Sequence, residues 1–290
     1  MKFFGSYVAI VTPFHKDGSV NFDKLKELVL WHLDQGTDGI VALGTTGESS
    51  TMSHEEDDDV ARCVIETVNG RIPVICGAGS NSTQTQLEKS RRYHDMGADG
   101  LLLISPYYNK ANDEGMYRHF AAVADTVDTP IILYNVPGRT GCSISPSVVA
   151  RLAKHPNVAG IKEASGNISY TAKIAKLLGD DFCMFSGNDD MIVPVMSLGG
   201  CGVISVWANI CPKQCHDLVA AFHSGDLRTA QKLQLDYLDL INTLFCEVNP
   251  IPVKEAMNQL GMGVGGYRLP LCEISDEGRE KVRRALEVLR

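Results

Sequence analysis

The 290-residue sequence lacks an excess of positive charge: 27 lysines and arginines stand against 35 aspartates and glutamates, a formal net charge of −8. Nucleic acid and anionic membrane surfaces are held by basic patches, so small molecules are the expected partners and neither of those is. An uninterrupted apolar run of about 18 residues is also missing, and no membrane-spanning helix is expected. The N-terminal stretch MKFFGSYVAIVTPF is interrupted by Gly5 and Pro13 and has no small-residue cleavage site, so the expected location is the cytoplasm.

A paired cysteine framework is absent as well. Nine cysteines are scattered, several inside apolar runs such as Pro73-Val74-Ile75-Cys76, which is how reduced, buried thiols look. Cys211, Cys215 and His216 form the one cluster with metal-ligand character, and no second Cys/His cluster completes a tetrahedral set, so no metal is expected. Nucleotide-binding signatures are lacking too. No G-x-G-x-x-G opens a helix after the first apolar run, and no lysine follows the glycine-rich GTTGE at 44–48 as it would in a P-loop.

What is present is alternation. Short apolar runs at 7–13, 39–44, 73–79, 100–106, 130–137, 158–165, 182–187 and 202–209 are each entered after a glycine or proline, and longer helical patterns separate them. Eight βα units at this spacing predict a closed (β/α)₈ barrel, the TIM barrel, with a doubly wound sheet as the alternative. GTDGIVALG (36–44) and GADGLLLIS (97–105) repeat the same helix stop and strand entry, and GGCGVISV (199–206) is a looser third copy. After residue 209 the pattern is helical only, so the domain expectation is a catalytic barrel over 1–224 and a C-terminal helical appendage over 225–290. Ser53-His54-Glu55-Glu56 has the form of a capping box, which explains the acidic run that follows as the first turn of a helix.

Polar residues collect where the predicted strands end, which in such barrels is where reacting groups sit. Lys162, in VAGIKEASGN, carries an amine to the end of the sixth apolar run, with Gly160 on the same face leaving room beneath it. Apolar walls disfavour an ammonium, and a neutral amine attacks a ketone to form a protonated Schiff base, an electron sink for the neighbouring carbon. A lysine paired with Glu163, or reaching to the rim, is the structural alternative. Tyr134 ends the preceding strand on the inward parity, where a phenol can move a proton or be satisfied by backbone. Arg139, in the next loop, offers a fork for a carboxylate or is a surface arginine. The GTTGE loop offers backbone amides and the hydroxyls of Thr45 and Thr46 to a carboxylate.

GTTGES, SPYYN, YNVPGRTG, GIKEASGN and NPIPVKEAM together resemble the dihydrodipicolinate synthase family of pyruvate-dependent class I aldolases, over nearly the whole chain. The resemblance implies condensation of pyruvate with L-aspartate 4-semialdehyde, the first committed step toward lysine and diaminopimelate, without metal or organic cofactor. It implies that Lys162 forms the Schiff base, and that Tyr134, Thr46 and Tyr108 relay protons, Tyr108 being lent by another subunit. Thr45 and Thr46 would hold the pyruvate carboxylate, Arg139 the carboxylate of the second substrate, and Gly187 and Ile204 would line the pocket through backbone groups. A homotetramer, as a dimer of dimers, is implied too. N-acetylneuraminate lyases and sugar-acid aldolases of the same family are the alternative, separated by the arginine at 139. Ser49, Ser50, His54, Asn81 and Tyr107 match the family's lysine-inhibition site, but Asp57 and Thr85 replace the histidine and glutamate of lysine-sensitive members, so weak or absent feedback is expected.

Overall fold

The structure is a computed structural model and describes residues 3–289. Eight strands form a closed parallel barrel in chain order: β1 (Gly5–Ala9), β2 (Gly39–Ala42), β3 (Val74–Gly77), β4 (Gly100–Ile104), β5 (Ile131–Asn135), β6 (Val158–Glu163), β7 (Cys183–Ser186) and β8 (Gly202–Ser205). The barrel expectation holds, strand for strand, with helices between them. The observed strands are shorter than the apolar runs because their last residues turn into loops. Past β1, for example, Asn209 takes over the backbone: its amide donates to Ala9 O (2.8 Å) and its carbonyl accepts from Val11 N (3.1 Å).

Two compact units divide the chain, one holding Pro73–Ile204 together with the described residues up to Gly5, the other Ser6–Ile72 and everything described from Ser205 onward. In each, the repeated Gly-x-Asp-Gly does the same physical work. Gly36 and Gly97 take the left-handed conformation that ends a helix (φ 80° and 86°), and the aspartate two residues on docks the next strand. Asp38 accepts from Ser6 N at 2.7 Å, and Asp99 accepts from Val74 N at 2.8 Å. The looser third copy has Cys201 in place of the aspartate, and there the Sγ lies 3.2 Å from Met184 O.

Local punctuation follows the expected chemistry. Ser53 Oγ accepts from Glu56 N while Glu56 returns a carboxylate to Ser53 N, opening the helix His54–Val68. Glu56 also grips the Arg268 guanidinium with both oxygens, and that bond holds its carboxyl down to about 2. The helix Pro212–His223 follows β8, and the rest of the described chain is helix and connection, closing with Asp276–Ala285, capped by Ser275, and the 3₁₀ turn Leu286–Leu289.

Candidate active site

β5 and β6 pair so that Tyr134 stands opposite Lys162. Strand side chains alternate between faces, so the two partners share one. Both are buried, and Lys162 Nζ lies 4.5 Å from the centre of the Tyr134 ring. Among the described residues neither Lys162 Nζ nor the Tyr134 hydroxyl has a hydrogen-bond or ion-pair partner. The ring presents its π face to the amine.

Glu163, next along β6, takes the opposite face and is not a counter-ion for Lys162. Its carboxylate accepts from Asn135 Nδ2 (2.7 Å), from Ser165 N (2.8 Å) and from the Ser165 hydroxyl. Burial pushes its pKa up, while these donors hold it back. The same Asn135 accepts from Ile144 N at 3.0 Å, and Tyr170 donates to Ile144 O at 2.7 Å. The loop after β5 is therefore tied to the strand that carries Lys162.

Gly187, just past β7, is the third member of this cluster. A Cβ there would come within 3.1 Å of Lys162 Cε, 2.6 Å of Ala164 Cβ and 3.0 Å of Glu163 O, so only glycine lets the chain pass the lysine stem. Gly160 has a packing task across the sheet as well. Its missing Cβ makes room for Cys183 on the neighbouring strand, whose O and Sγ would lie 2.6 and 2.7 Å away.

Other candidates from the same unit lie on strand ends and loops. Ile204 is buried on β8. Arg139 lies on the short turn Pro137–Thr140 after β5, exposed and without a side-chain partner among the described residues. Tyr108, in the loop after β4, is 91% exposed and held at φ 66°, a left-handed conformation unusual for an aromatic residue. Tyr107 is exposed beside it, and Asn81 accepts at its carbonyl from Asn109 Nδ2 (3.1 Å).

In the second unit, Thr45 and Thr46 form a single 3₁₀ turn directly after β2, closed by Glu48 at φ 56°. Three buried contacts anchor it. Thr12 Oγ1 donates to Gly47 O (2.6 Å), Asn249 Nδ2 donates to Thr46 Oγ1 (3.0 Å), and Lys254 Nζ bonds Glu48 Oε1 (2.7 Å) and Thr12 O (3.1 Å). Glu48 and Lys254 side chains are wholly buried, and the ammonium also faces the Phe14 ring at 4.4 Å. Burial lowers the Lys254 pKa and Glu48 offsets part of that. Sequence reasoning missed Asn249, Glu48 and Lys254 as parts of a site, although all three stand in the quoted GTTGES and NPIPVKEAM. Of the other candidates here, Ser50 and His54 are exposed, and Ser49 Oγ donates to the buried Asp57 (3.0 Å). His216 bonds Asp38 (2.9 Å) and Cys211 and Cys215 lie in the core. No group of three His, Cys, Asp or Glu among the described residues is arranged to hold a metal ion, and no described helix is long and apolar enough to cross a membrane.

Fold and cluster together define a (β/α)₈ barrel whose sixth strand carries a buried lysine facing a tyrosine and, among the described residues, without an ion-pair partner. A profile of the Dihydrodipicolinate synthetase family matches residues 2–289, and the chain belongs to that family. It is 50% identical over 285 residues to the 4-hydroxy-tetrahydrodipicolinate synthase of Clostridium novyi (strain NT), covering 98% of this chain and 96% of the relative. It is 51% identical over 285 residues to the enzyme of that name from Thermoanaerobacter sp. (strain X514), with the same coverage. A crystal structure of the chloride-inhibited dihydrodipicolinate synthase from Acinetobacter baumannii, complexed with pyruvate, superposes with a TM-score of 0.96 at 46% identity over 98% of both chains.

Proposed function

We propose that this chain condenses pyruvate with L-aspartate 4-semialdehyde to 4-hydroxy-tetrahydrodipicolinate through a Schiff base on Lys162. The observation that carries the reading is the buried Lys162 amine, unpaired among the described residues and 4.5 Å from the Tyr134 ring, in a member of this family. An amine with no carboxylate or hydrogen-bond acceptor occupying it is open to a keto carbon, and the neutral amine is the nucleophile in such chemistry.

The chemistry balances as follows. The Lys162 amine adds to the keto carbon of pyruvate, a proton reaches the oxygen, and water leaves as the imine forms. Loss of a proton from the methyl carbon gives the enamine, which bonds to the aldehyde carbon of the second substrate. The amine of that substrate then attacks the imine carbon, the bond to Lys162 breaks, and the ring closes. Tyr134, Thr46 and Tyr108 carry the protons in this scheme. Thr45 and Thr46 hold the pyruvate carboxylate, Arg139 holds the second carboxylate, and Gly187 and Ile204 supply backbone groups. No metal or organic cofactor takes part.

Tyr108 is reserved for a neighbouring subunit, a role its exposure and its left-handed backbone support. With it goes the homotetramer, a dimer of dimers, in the cytoplasm. The division into a catalytic barrel over 1–224 and a helical part over 225–290 is supported by the last barrel strand and its following helix ending at His223. Feedback by lysine is weak or absent in this reading, because Asp57 holds the Ser49 hydroxyl where sensitive relatives carry histidine.

Borohydride trapping tests the core of the proposal. Reduction in the presence of pyruvate should add the mass of the reduced adduct to the peptide holding Lys162, and K162A should abolish it. Absence of the adduct in the wild-type protein sinks the reading. Turnover with aspartate semialdehyde, compared with sialic acid and sugar acids, then distinguishes the synthase from a lyase of the same family.

A further inference from the structure

We propose that Asn249 is a positioning residue for this reaction, setting the direction in which the Thr46 hydroxyl gives its proton. The inference rests on the synthase reading above and deepens it.

A threonine hydroxyl has one hydrogen to give and an oxygen that can accept two. Thr46 is buried in the turn after β2, and Asn249 Nδ2 donates to its oxygen at 3.0 Å across 203 residues of sequence. With that lone pair taken by an N–H, the hydroxyl hydrogen is turned away from Asn249. Thr46 is thereby held as a donor, the state in which it can protonate a developing alkoxide or bond a carboxylate.

Asn249 is itself buried, and its Oδ1 has no hydrogen-bond partner among the described residues. Leaving a buried acceptor unpaired is costly, and a cross-link kept for stability alone would avoid it. The carboxamide's one side-chain hydrogen bond among the described residues goes to the Thr46 hydroxyl. The surroundings keep both ends of that bond in place: Glu48, two residues after Thr46, is clamped by Lys254, which lies in the first turn of the helix Ile251–Gln259 that follows Asn249. The turn that carries Thr46 and the segment that carries Asn249 are therefore fixed by a second, independent contact, which leaves the amide free to serve direction.

The test is a double-mutant cycle read on the covalent step. Wild-type, N249A, T46V and N249A/T46V enzymes are mixed with pyruvate and the imine is trapped with borohydride at set times, with circular dichroism and melting recorded for each. The expected result is imine formation slowed about 10- to 30-fold in N249A. In the T46V background N249A should add less than about twofold, because the residue it directs is gone. N249D, equal in size but able only to accept, should turn the Thr46 hydrogen onto itself and be at least as slow as N249A. Undiminished imine formation in folded N249A, or additive effects in the cycle, overturns the proposal. If the Asn249 variants do not fold, a crystal structure of the wild-type enzyme with pyruvate decides. An Nδ2 to Oγ1 distance within about 3.2 Å supports the assignment, and one beyond about 3.5 Å overturns it. A wild-type protein that traps no pyruvate fails at the synthase reading instead, so the two outcomes are distinguishable.

Discussion

Lys254 and Lys162, two of the buried lysines that face aromatic rings, stand in opposite surroundings. Lys254 lies wholly inside, bonded to the Glu48 carboxylate and to the Thr12 carbonyl, with the Phe14 ring at 4.4 Å. Lys162 has the Tyr134 ring at 4.5 Å and, among the described residues, no hydrogen bond or ion pair. Saturated partners make an ammonium part of the scaffold. Where they are withheld, the amine is left to react with something from outside. On the proposed reading, the reactive lysine is the one whose neighbours provide no partner.

The comparison can be broken most forcefully at Lys162 itself. K162M should reduce turnover by at least about 10³-fold while leaving the melting temperature equal or higher, because a buried amine without a counter-ion is replaced by a side chain of similar size. A marked loss of stability in K162M would show that the lysine has a structural partner after all. K254M should behave in the reverse way. Stranding Glu48 without its cation is expected to cost about 3–5 kcal/mol in denaturant unfolding, and adding E48Q to make the pair neutral should recover part of it.

A smaller effect sharpens the contrast at the lysine stem. G187A places a methyl 3.1 Å from Lys162 Cε and 2.6 Å from Ala164 Cβ, and overpacking of this kind costs about 1–3 kcal/mol. If the stem is the part that yields, the pyruvate KM should rise more than the melting temperature falls.

His32 supplies the smallest test, as a buried base with neither an ion pair nor a reaction to perform. Burial lowers its pKa from 6.5 to about 3, and its Nδ1 meets Thr37 Oγ1 at 3.2 Å. The unfolded chain takes up a proton below pH 6.5 and the folded chain does not until about pH 3. Stability should therefore fall as the pH drops through this window, by about 1 kcal/mol between pH 6.5 and 5.5 from this residue alone. Replacing His32 by glutamine should flatten that slope in a series of unfolding curves; an unchanged slope would mean that the imidazole is charged in the fold.

Much of this architecture was legible from local pattern. Strand order, the helix stops at Gly36 and Gly97, the Ser53 capping box and the helical tail all depend on residues within a few positions of one another. Lys162 and Tyr134 were legible too, because a charge at the end of an apolar run stands out and strand parity says which face it takes. Asn249 carried no such signal. An asparagine before a proline reads as an ordinary turn, and its partner Thr46 lies 203 residues away. The approach of Cys183 to Gly160 was hidden for a related reason, since parity places a residue on a face without saying which neighbouring strand comes close beside it.

What the chain's order of residues determined by itself, then, was the barrel and the chemical kinds of side chain at its strand ends, because hydrophobic period and turn chemistry act over short stretches. The closed sheet alone decided that Lys254 meets a carboxylate and Lys162 a ring, which glycine passes a lysine stem, and which amide faces a threonine. Those are contacts between distant segments, and their energies exist only once packing has brought the segments within a few ångströms.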